Sequence, residues 1–185
     1  MVASALEFKA LSVETLPDFL EYFDFQAFSD NPEWSGCFCQ FYLTKPGQTE
    51  EDTTKEQNRQ SACDNVAAER MQGYLAYDSG EVVGWVAAAP SVLFTGVPDA
   101  REDLARILCF VIRPDRRGQG VASALLDHAV EQLAARGFAE IEAAPYTLEH
   151  QQKANYRGHL AMYQRAGFEV VADMGDFGTL VRKVL

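Results

Sequence analysis

The chain has 185 residues, enough to bury a hydrophobic core without disulfides or metals, and we expect residues 1–185 to form a single domain. Its 16 lysines and arginines stand against 27 aspartates and glutamates, and the net charge of -11 disfavours binding to nucleic acid or to an anionic membrane. No apolar run reaches the length of a membrane span, and the first residues lack the charged and then apolar pattern of a secretory signal.

The apolar periodicity predicts both strands and helices. Strand patterns cover residues 6–11, 74–77, 82–89, 104–113, 139–144, 168–172 and 177–183. Helical patterns cover residues 16–23, 50–71, 119–136 and 154–166. The resulting order, β-α-α-β-β-β-α-β-α-β-β, is typical of an α/β or α+β domain in which helices cover a mixed sheet.

Turn residues mark several of these boundaries. Residues 78–81 contain a glycine between two β-rich segments and predict a hairpin. Gly137 and Gly167 each follow a helical pattern, where a left-handed cap suits glycine. Residues 31–47 carry four aromatic side chains that suit either the core or a pocket wall. These are Trp34, Phe38, Phe41 and Tyr42.

The cysteines indicate a reducing compartment. They are Cys37, Cys39, Cys63 and Cys109. Their number and irregular spacing do not fit a secreted disulfide framework. Together with three scattered histidines they match no familiar metal-ligand spacing. We therefore expect a cytoplasmic protein with free thiols and no metal.

The most informative segment is the apolar strand at residues 107–113 with the basic, glycine-rich turn that leads from it into a helix. Gly118 and Gly120 let main-chain N–H groups approach a ligand that a Cβ would hold away. The following helix adds unpaired N–H groups and the positive end of its dipole. The turn predicts a site for a pyrophosphate, with a purely structural turn as the alternative.

Spacing excludes two other glycine motifs. A P-loop needs Lys and then Ser or Thr after its second glycine, whereas Val121 and Ala122 follow Gly120. A dinucleotide-binding turn needs a third glycine, and Ser123 occupies that position. The sequence therefore disfavours an ATP or NAD site of either type.

The pattern Arg117-x-x-Gly120-x-Ala122, placed between an apolar strand and a long amphipathic helix, resembles the acetyl-coenzyme A signature of the GNAT superfamily of N-acetyltransferases. The segment Tyr-Gln-Arg-Ala-Gly-Phe at residues 163–168 is similar to the family's tyrosine-to-Gly-Phe segment, and residues 73–85 are similar to its central hairpin. The resemblance covers residues 6–184.

This resemblance implies a mixed, mostly antiparallel sheet of about seven strands flanked by helices, with the fourth and fifth strands splayed around acetyl-coenzyme A. The coenzyme contacts that it implies come from Phe110, Val111, Ile112, Arg117, Gly118, Gln119, Gly120, Val121, Ala122, Ser123 and Asn155. Family members often carry Asn seven residues before the tyrosine, but Tyr156 stands there and Asn155 lies one position earlier.

The implied activity is transfer of an acetyl group from acetyl-coenzyme A to a primary amine by direct attack through a tetrahedral intermediate. The acceptor is a small molecule or a peptide amine, with a slight preference for cationic acceptors, and the resemblance leaves a homodimer open. The alternative function is a catalytically inactive sensor or interaction module that binds acyl-coenzyme A.

Three steps of this reaction need chemical groups. A protonated amine must lose a proton, and we expect either Glu142, on the fifth strand, or an ordered water to accept it. Main-chain N–H groups around Phe110 and Ile112, unpaired beside the splay, are expected to stabilise the oxyanion. The resemblance places Tyr163 as the acid that protonates the departing thiolate. An acyl-cysteine at Cys109 is a less favoured route, since no histidine lies nearby in sequence to activate it.

Overall fold

A single seven-stranded sheet organises the computed structural model, which describes residues 6–43, 53–146, 156–175 and 178–185. The strands are β1 (Glu7–Ala10), β2 (Gly73–Asp78), β3 (Glu81–Pro90), β4 (Leu104–Ile112), β5 (Glu140–Ala143), β6 (Glu169–Asp173) and β7 (Thr179–Val184). Their spatial order is β1-β2-β3-β4-β5-β7-β6, and among these pairs only β4 and β5 run parallel. The mixed, mostly antiparallel sheet expected from the sequence is confirmed.

Four α-helices flank the sheet in the described residues: α1 (Leu16–Glu21), α2 (Lys55–Ala67), α3 (Val121–Ala135) and α4 (Leu160–Arg165). The start of α2 is fixed by a capping box, in which the Thr54 side chain accepts from the Gln57 N–H and the Gln57 side chain accepts from the Thr54 N–H. This cap places the start of α2 later than the polar pattern from residue 50 suggests. The predicted start of the last helix, at residue 154, lies outside the described residues, and α4 begins at Leu160.

Two apolar clusters hold the helices on opposite faces of the sheet. On one face, Leu75 and Trp85 pack with residues of α1 and α2 such as Phe19 and Val66. On the other face, Val86 packs with residues of α3 and α4. Successive residues of β2 and β3 therefore point to opposite layers, and this explains why both strands are apolar along their length.

β4 and β5 pair over only part of their length. Their register covers Leu104–Ile107 against Glu140–Ala143, while β4 continues to Ile112. On its other side β4 stays paired with β3, with an irregularity where Ala87 faces Cys109 and Ala88 faces Ile107. Leu108 is the extra residue of this β-bulge. The carboxyl end of β4 is thus not paired with β5, which confirms the splay.

A π-helix (Tyr22–Gln26) continues α1 and packs against β4. The buried Tyr22 hydroxyl donates a hydrogen bond to the Val111 carbonyl at 2.9 Å. This contact anchors the end of the first helix beside the open edge of β4. In the described part of the chain, no helix has the length and apolar character needed to cross a membrane.

Candidate active site

A large cavity lies where β4 separates from β5. Its volume is about 2100 Å³, and its wall is formed by the end of β4, the turn into α3, the start of α4 and the segment that follows the π-helix. Most of the predicted coenzyme-binding residues are on this wall: Phe110, Val111, Ile112, Arg117, Gly118, Gly120, Val121, Ala122 and Ser123. Most of the contacts that the family resemblance implies therefore lie around one space.

The glycine turn has the backbone conformation that an anion site requires. Gly118 and Gly120 have φ angles of +73° and +85°, in the left-handed region that disfavours other residues. A Cβ built on either glycine would meet no atom within 4 Å, so open space lies in front of the main chain. The first intrahelical bond of α3 runs from the Ala124 N–H to the Gly120 carbonyl, which leaves the three preceding N–H groups as donors at the cavity.

The positive charge of this turn is balanced by carboxylates. Arg117 donates two hydrogen bonds to Asp30, at 2.5 and 3.2 Å, and a third from Nε to the Ile112 carbonyl. Arg116 pairs with Asp78 at 2.6 Å. Any phosphate in this basic turn would meet main-chain donors and an Arg117 that is already paired with Asp30.

Two of the predicted coenzyme contacts are not on the described wall. The Gln119 side chain is turned back to donate to the Asp115 carbonyl at 2.7 Å, and Gln119 does not line the cavity. Asn155 lies outside the described residues. In the described residues no group of three or more histidine, cysteine or acidic side chains is arranged to hold a metal ion.

The open edge of β4 is partly used by the chain itself. The Arg113 N–H bonds to Val83 on β3, so the N–H groups of Ile112 and Phe110 point to the opposite edge. There the Phe110 N–H donates to the Tyr156 carbonyl at 2.5 Å. The expectation that the Phe110 N–H is unpaired is therefore wrong, because the segment before α4 runs alongside this edge.

Tyr163 is buried beneath the site. Its side chain is 0% exposed, and its ring packs against Phe110 and Phe168 at centroid distances of 6.4 and 5.2 Å. Its hydroxyl donates to the Arg157 carbonyl at 3.0 Å, and burial raises the pKa of the phenol. Tyr163 is not among the residues that line the cavity, although its neighbour Phe110 is.

Two tyrosines for which the sequence predicts no catalytic role do line the cavity. The hydroxyls of Tyr146 and Tyr156 lie 3.2 Å apart, and the Arg157 guanidinium lies 4.6 Å from the centre of the Tyr146 ring. Burial, followed by the hydrogen bond with Tyr146, raises the pKa of Tyr156 to about 12. The only signal for this cluster in the sequence is the tyrosine at the position where the family often has Asn.

Glu142 is held by arginines away from the cavity. Its carboxylate accepts two hydrogen bonds from Arg182, the shorter at 2.6 Å, and lies 3.7 Å from Arg106. The residue is 8% exposed and does not line the cavity. Since these arginines occupy its oxygens, the arrangement disfavours Glu142 as a proton acceptor for an amine in the cavity.

The aromatic segment after the π-helix serves both purposes that its composition suggests. Phe38 is 0% exposed and belongs to the core, whereas Trp34 and Phe41 line the cavity, and Tyr42 does both. All four cysteines are in the described residues, and none of them forms a disulfide bond. Cys37, Cys39 and Cys109 are on the cavity wall.

Solved structures with the same architecture include acetyltransferases from several organisms. PaiA N-acetyltransferase from Thermoplasma acidophilum, in complex with coenzyme A, has a TM-score of 0.58 and 16% identity, over 98% of this chain and 99% of that one. Ribosomal-protein-alanine N-acetyltransferase from Brucella melitensis has a TM-score of 0.59 and 19% identity, over 97% and 99%. An acetyltransferase from Thermus thermophilus has a TM-score of 0.56 and 22% identity, over all of both chains.

Among curated protein sequences none gives a significant match. At these identities the structural likeness establishes the fold alone. The model of the acetyltransferase (GNAT) family, however, matches residues 26–168. This range includes β4, the glycine turn, α3 and Tyr163, so the match covers most of the chain and most of the cavity wall. The chain therefore belongs to the GNAT family of acetyltransferases.

Proposed function

We propose that this protein transfers an acetyl group from acetyl-coenzyme A to a primary amine. The observation that carries the proposal is the glycine turn, whose exposed main chain faces the cavity that opens between β4 and β5. The size of the cavity, about 2100 Å³, exceeds the usual range for a single small-molecule site and suits a long coenzyme together with an acceptor.

In this proposal the turn binds the pyrophosphate. Main-chain N–H groups between Gly118 and Ser123 would donate to it, and the dipole of the 15-residue helix α3 would favour its charge. The chain at Phe110–Ile112 would lie along the rest of the coenzyme. The coenzyme A complex of the Thermoplasma acidophilum relative supports this choice of co-substrate.

Direct attack of the amine on the thioester requires a proton acceptor and a donor to the oxyanion. We assign the first role to ordered water, because Glu142 is occupied by Arg182 and Arg106. We assign the second to the Ile112 N–H, which points to the open edge of β4. A tetrahedral intermediate would then collapse with release of the coenzyme thiolate.

Tyr163 remains the proposed acid for this thiolate. To act, its hydroxyl has to leave the Arg157 carbonyl, to which it is bonded in this structure. Tyr156 is the competing candidate, since its hydroxyl lies beside that of Tyr146 and the residue lines the cavity. Phenylalanine substitutions at the two positions separate these assignments.

The acceptor in this proposal is a small-molecule or peptide amine. Glu33 and Trp34 lie on the cavity wall, and an acidic and an aromatic side chain together favour a cationic acceptor. We further propose that residues 1–185 act as one domain in the cytoplasm. A homodimer is a prediction that size-exclusion chromatography with light scattering would check.

The first experiment is thermal unfolding in the presence of acetyl-coenzyme A, coenzyme A, ATP or NAD. A ligand that binds only the native state raises the midpoint, so we expect a shift with the two coenzymes alone. Release of coenzyme thiol with a panel of amines then tests transfer. Binding without amine-dependent release would support the inactive sensor, and the absence of a coenzyme shift would contradict both functions.

A further inference from the structure

Two thiols from distant parts of the chain meet on the cavity wall. Cys39 precedes α2 and Cys109 lies on β4, and both belong to the buried cluster on the α1 face, with thiols close enough to affect each other's ionisation. They are 6% and 7% exposed, and both line the cavity. Small oxidants that enter the cavity therefore have access to a pair of neighbouring thiols.

The β-bulge of β4 places the Cys109 thiol on the same face of the sheet as Cys39. Ile107 and Phe110 belong to the cluster on the α3 face, whereas Leu108 and Cys109 both belong to the cluster on the α1 face. Regular alternation would turn Cys109 to the same face as Ile107, away from Cys39. The extra residue of the bulge reverses this and directs the Cys109 thiol toward the cavity wall that carries Cys39.

Cys39 sits in an environment that favours its thiolate. The Trp85 indole N–H donates a hydrogen bond to its sulfur at 3.3 Å. The backbone here is also strained: Phe38 and Cys39 have φ angles of +41° and +57°, a conformation that is costly for residues other than glycine. The hydrogen bond from Cys109, and then that from Trp85, lowers the pKa of Cys39 against the effect of burial. The pKa of Cys109 is raised by its bond to Cys39 and by burial.

We propose that Cys39 and Cys109 form an oxidation site that a hydroperoxide converts into a disulfide. The Cys39 thiolate attacks one peroxide oxygen, the O–O bond breaks, and Cys39 becomes a sulfenic acid while hydroxide leaves and takes up a proton. The Cys109 sulfur then attacks the sulfenic sulfur, the S–O bond breaks, and water leaves. For hydrogen peroxide the balance is two thiols and one peroxide to one disulfide and two waters.

The disulfide would link β4, at the point where it leaves β5, to the aromatic segment that carries Tyr42. This link crosses the wall where the proposed amine acceptor binds, so oxidation would reduce acetyl transfer and a dithiol reductant would restore it. That consequence rests on the proposed function, but the formation of the disulfide does not.

The test uses the full-length protein, reduced and freed of reductant and then treated with hydrogen peroxide. We expect thiol titration of the denatured product to fall from four to two per chain. Peptide mapping without reduction is expected to yield a linked pair of peptides that contain Cys39 and Cys109, lighter by two hydrogens than the separate peptides. Neither measurement depends on acetyl transfer, so failure of the disulfide to form is distinguishable from failure of the proposed function.

Variants separate this pair from the other thiols. Cys63 lies on α2 and does not line the cavity, so Cys63→Ala is the matched control and should keep the disulfide. Cys39→Ser and Cys109→Ser should lose it. A Cys37–Cys39 crosslink, or a wild-type Cys109 that stays reduced while another cysteine is oxidised, would overturn the proposal. The wild-type map alone decides this, whether or not the variants fold.

Discussion

The Asp30 carboxylate accepts two hydrogen bonds from the Arg117 guanidinium and thereby joins the segment after the π-helix to the glycine turn. Arg117 also donates to the Ile112 carbonyl, so one side chain connects three parts of the cavity wall. The hydrogen bond from Arg117 lowers the pKa of Asp30 below its ordinary value. Both side chains are nearly half exposed, at 48% and 45%, so the pair is weak enough for a phosphate to compete.

Removal of this carboxylate charge should favour the coenzyme. In Asp30→Asn, Arg117 no longer has an anionic partner and is free to attract a phosphate. Because exposed ion pairs contribute about 0.2–1 kcal/mol, we expect acetyl-coenzyme A to bind up to about fivefold more tightly. Titration calorimetry at low and high salt measures this, and the gain should shrink at high salt.

The control is Glu33→Gln, which removes another negative charge from the cavity wall. An equal gain in both variants would mean that total charge, and not the Asp30–Arg117 pair, sets the affinity.

Gly120 should be required for both stability and coenzyme binding. Its φ of +85° is costly for alanine, and we expect Gly120→Ala to lose about 1–2 kcal/mol of the free energy of unfolding. The variant should also lose most of the rise in the unfolding midpoint that acetyl-coenzyme A produces, because the conformation of this turn exposes main-chain N–H donors to the cavity.

Gly80 provides a matched control for backbone strain. It has a φ of +86°, and a Cβ on it would meet no atom within 4 Å. It lies in the hairpin turn between β2 and β3 and does not line the cavity. Gly80→Ala should lose similar stability but keep the coenzyme-induced shift. Loss of the shift in this variant would show that reduced stability alone abolishes binding.

The Tyr163 hydroxyl should be needed for turnover. We expect Tyr163→Phe to lower kcat on the order of 10²-fold with little change in KM for acetyl-coenzyme A, as for loss of a general acid. Loss of its bond to the Arg157 carbonyl should also cost about 1 kcal/mol of stability. Steady-state kinetics and urea denaturation give the two values.

Tyr156→Phe is the comparison for this assignment. It should keep kcat within a few-fold of the wild type if Tyr163 is the acid. A large loss of kcat in Tyr156→Phe, together with near-normal turnover in Tyr163→Phe, would move the acid role to Tyr156.

Glu142 should be a structural residue. It is buried between Arg182 and Arg106, and Glu142→Gln leaves these guanidinium groups without their carboxylate. We expect a loss of about 2–3 kcal/mol in the free energy of unfolding, and a smaller loss for Glu140→Gln, whose side chain is more exposed. Urea denaturation tests both. A stable Glu142→Gln that loses the acidic limb of its kcat/KM profile would identify Glu142 as the base.

His128 should make stability depend on pH. Its ring stacks on Phe8 at 4.7 Å, and burial lowers its pKa below the ordinary value of 6.5. Below pH 6.5 the unfolded chain therefore binds more protons at His128 than the folded chain does. The stability that the neutral ring contributes is present above this pH and is lost as the pH falls through it. The unfolding midpoint of His128→Phe should fall less than that of the wild type on acidification; equal falls would contradict this.

Local features of the chain could be predicted from its sequence. The hairpin at residues 78–81 and the turn before α3 depend on glycine conformations that neighbouring residues do not alter, and both are present. The order of strands and helices follows from apolar periodicity in the same way. The predicted helix boundaries are less accurate where a capping residue sets the start, as Thr54 does for α2.

The sequence by itself determined which segments form strands and helices, where the glycine turn lies and which family pattern it carries, because each depends on residues within a few positions of one another. Only the tertiary structure decided that Arg117 pairs with Asp30, that Arg182 occupies Glu142, and that the Tyr163 hydroxyl is turned to the Arg157 carbonyl. It also brought Cys109 to Cys39 through a single extra residue in β4. Such contacts depend on side-chain direction and on the packing of segments distant in the chain, and neither is encoded in periodicity or spacing.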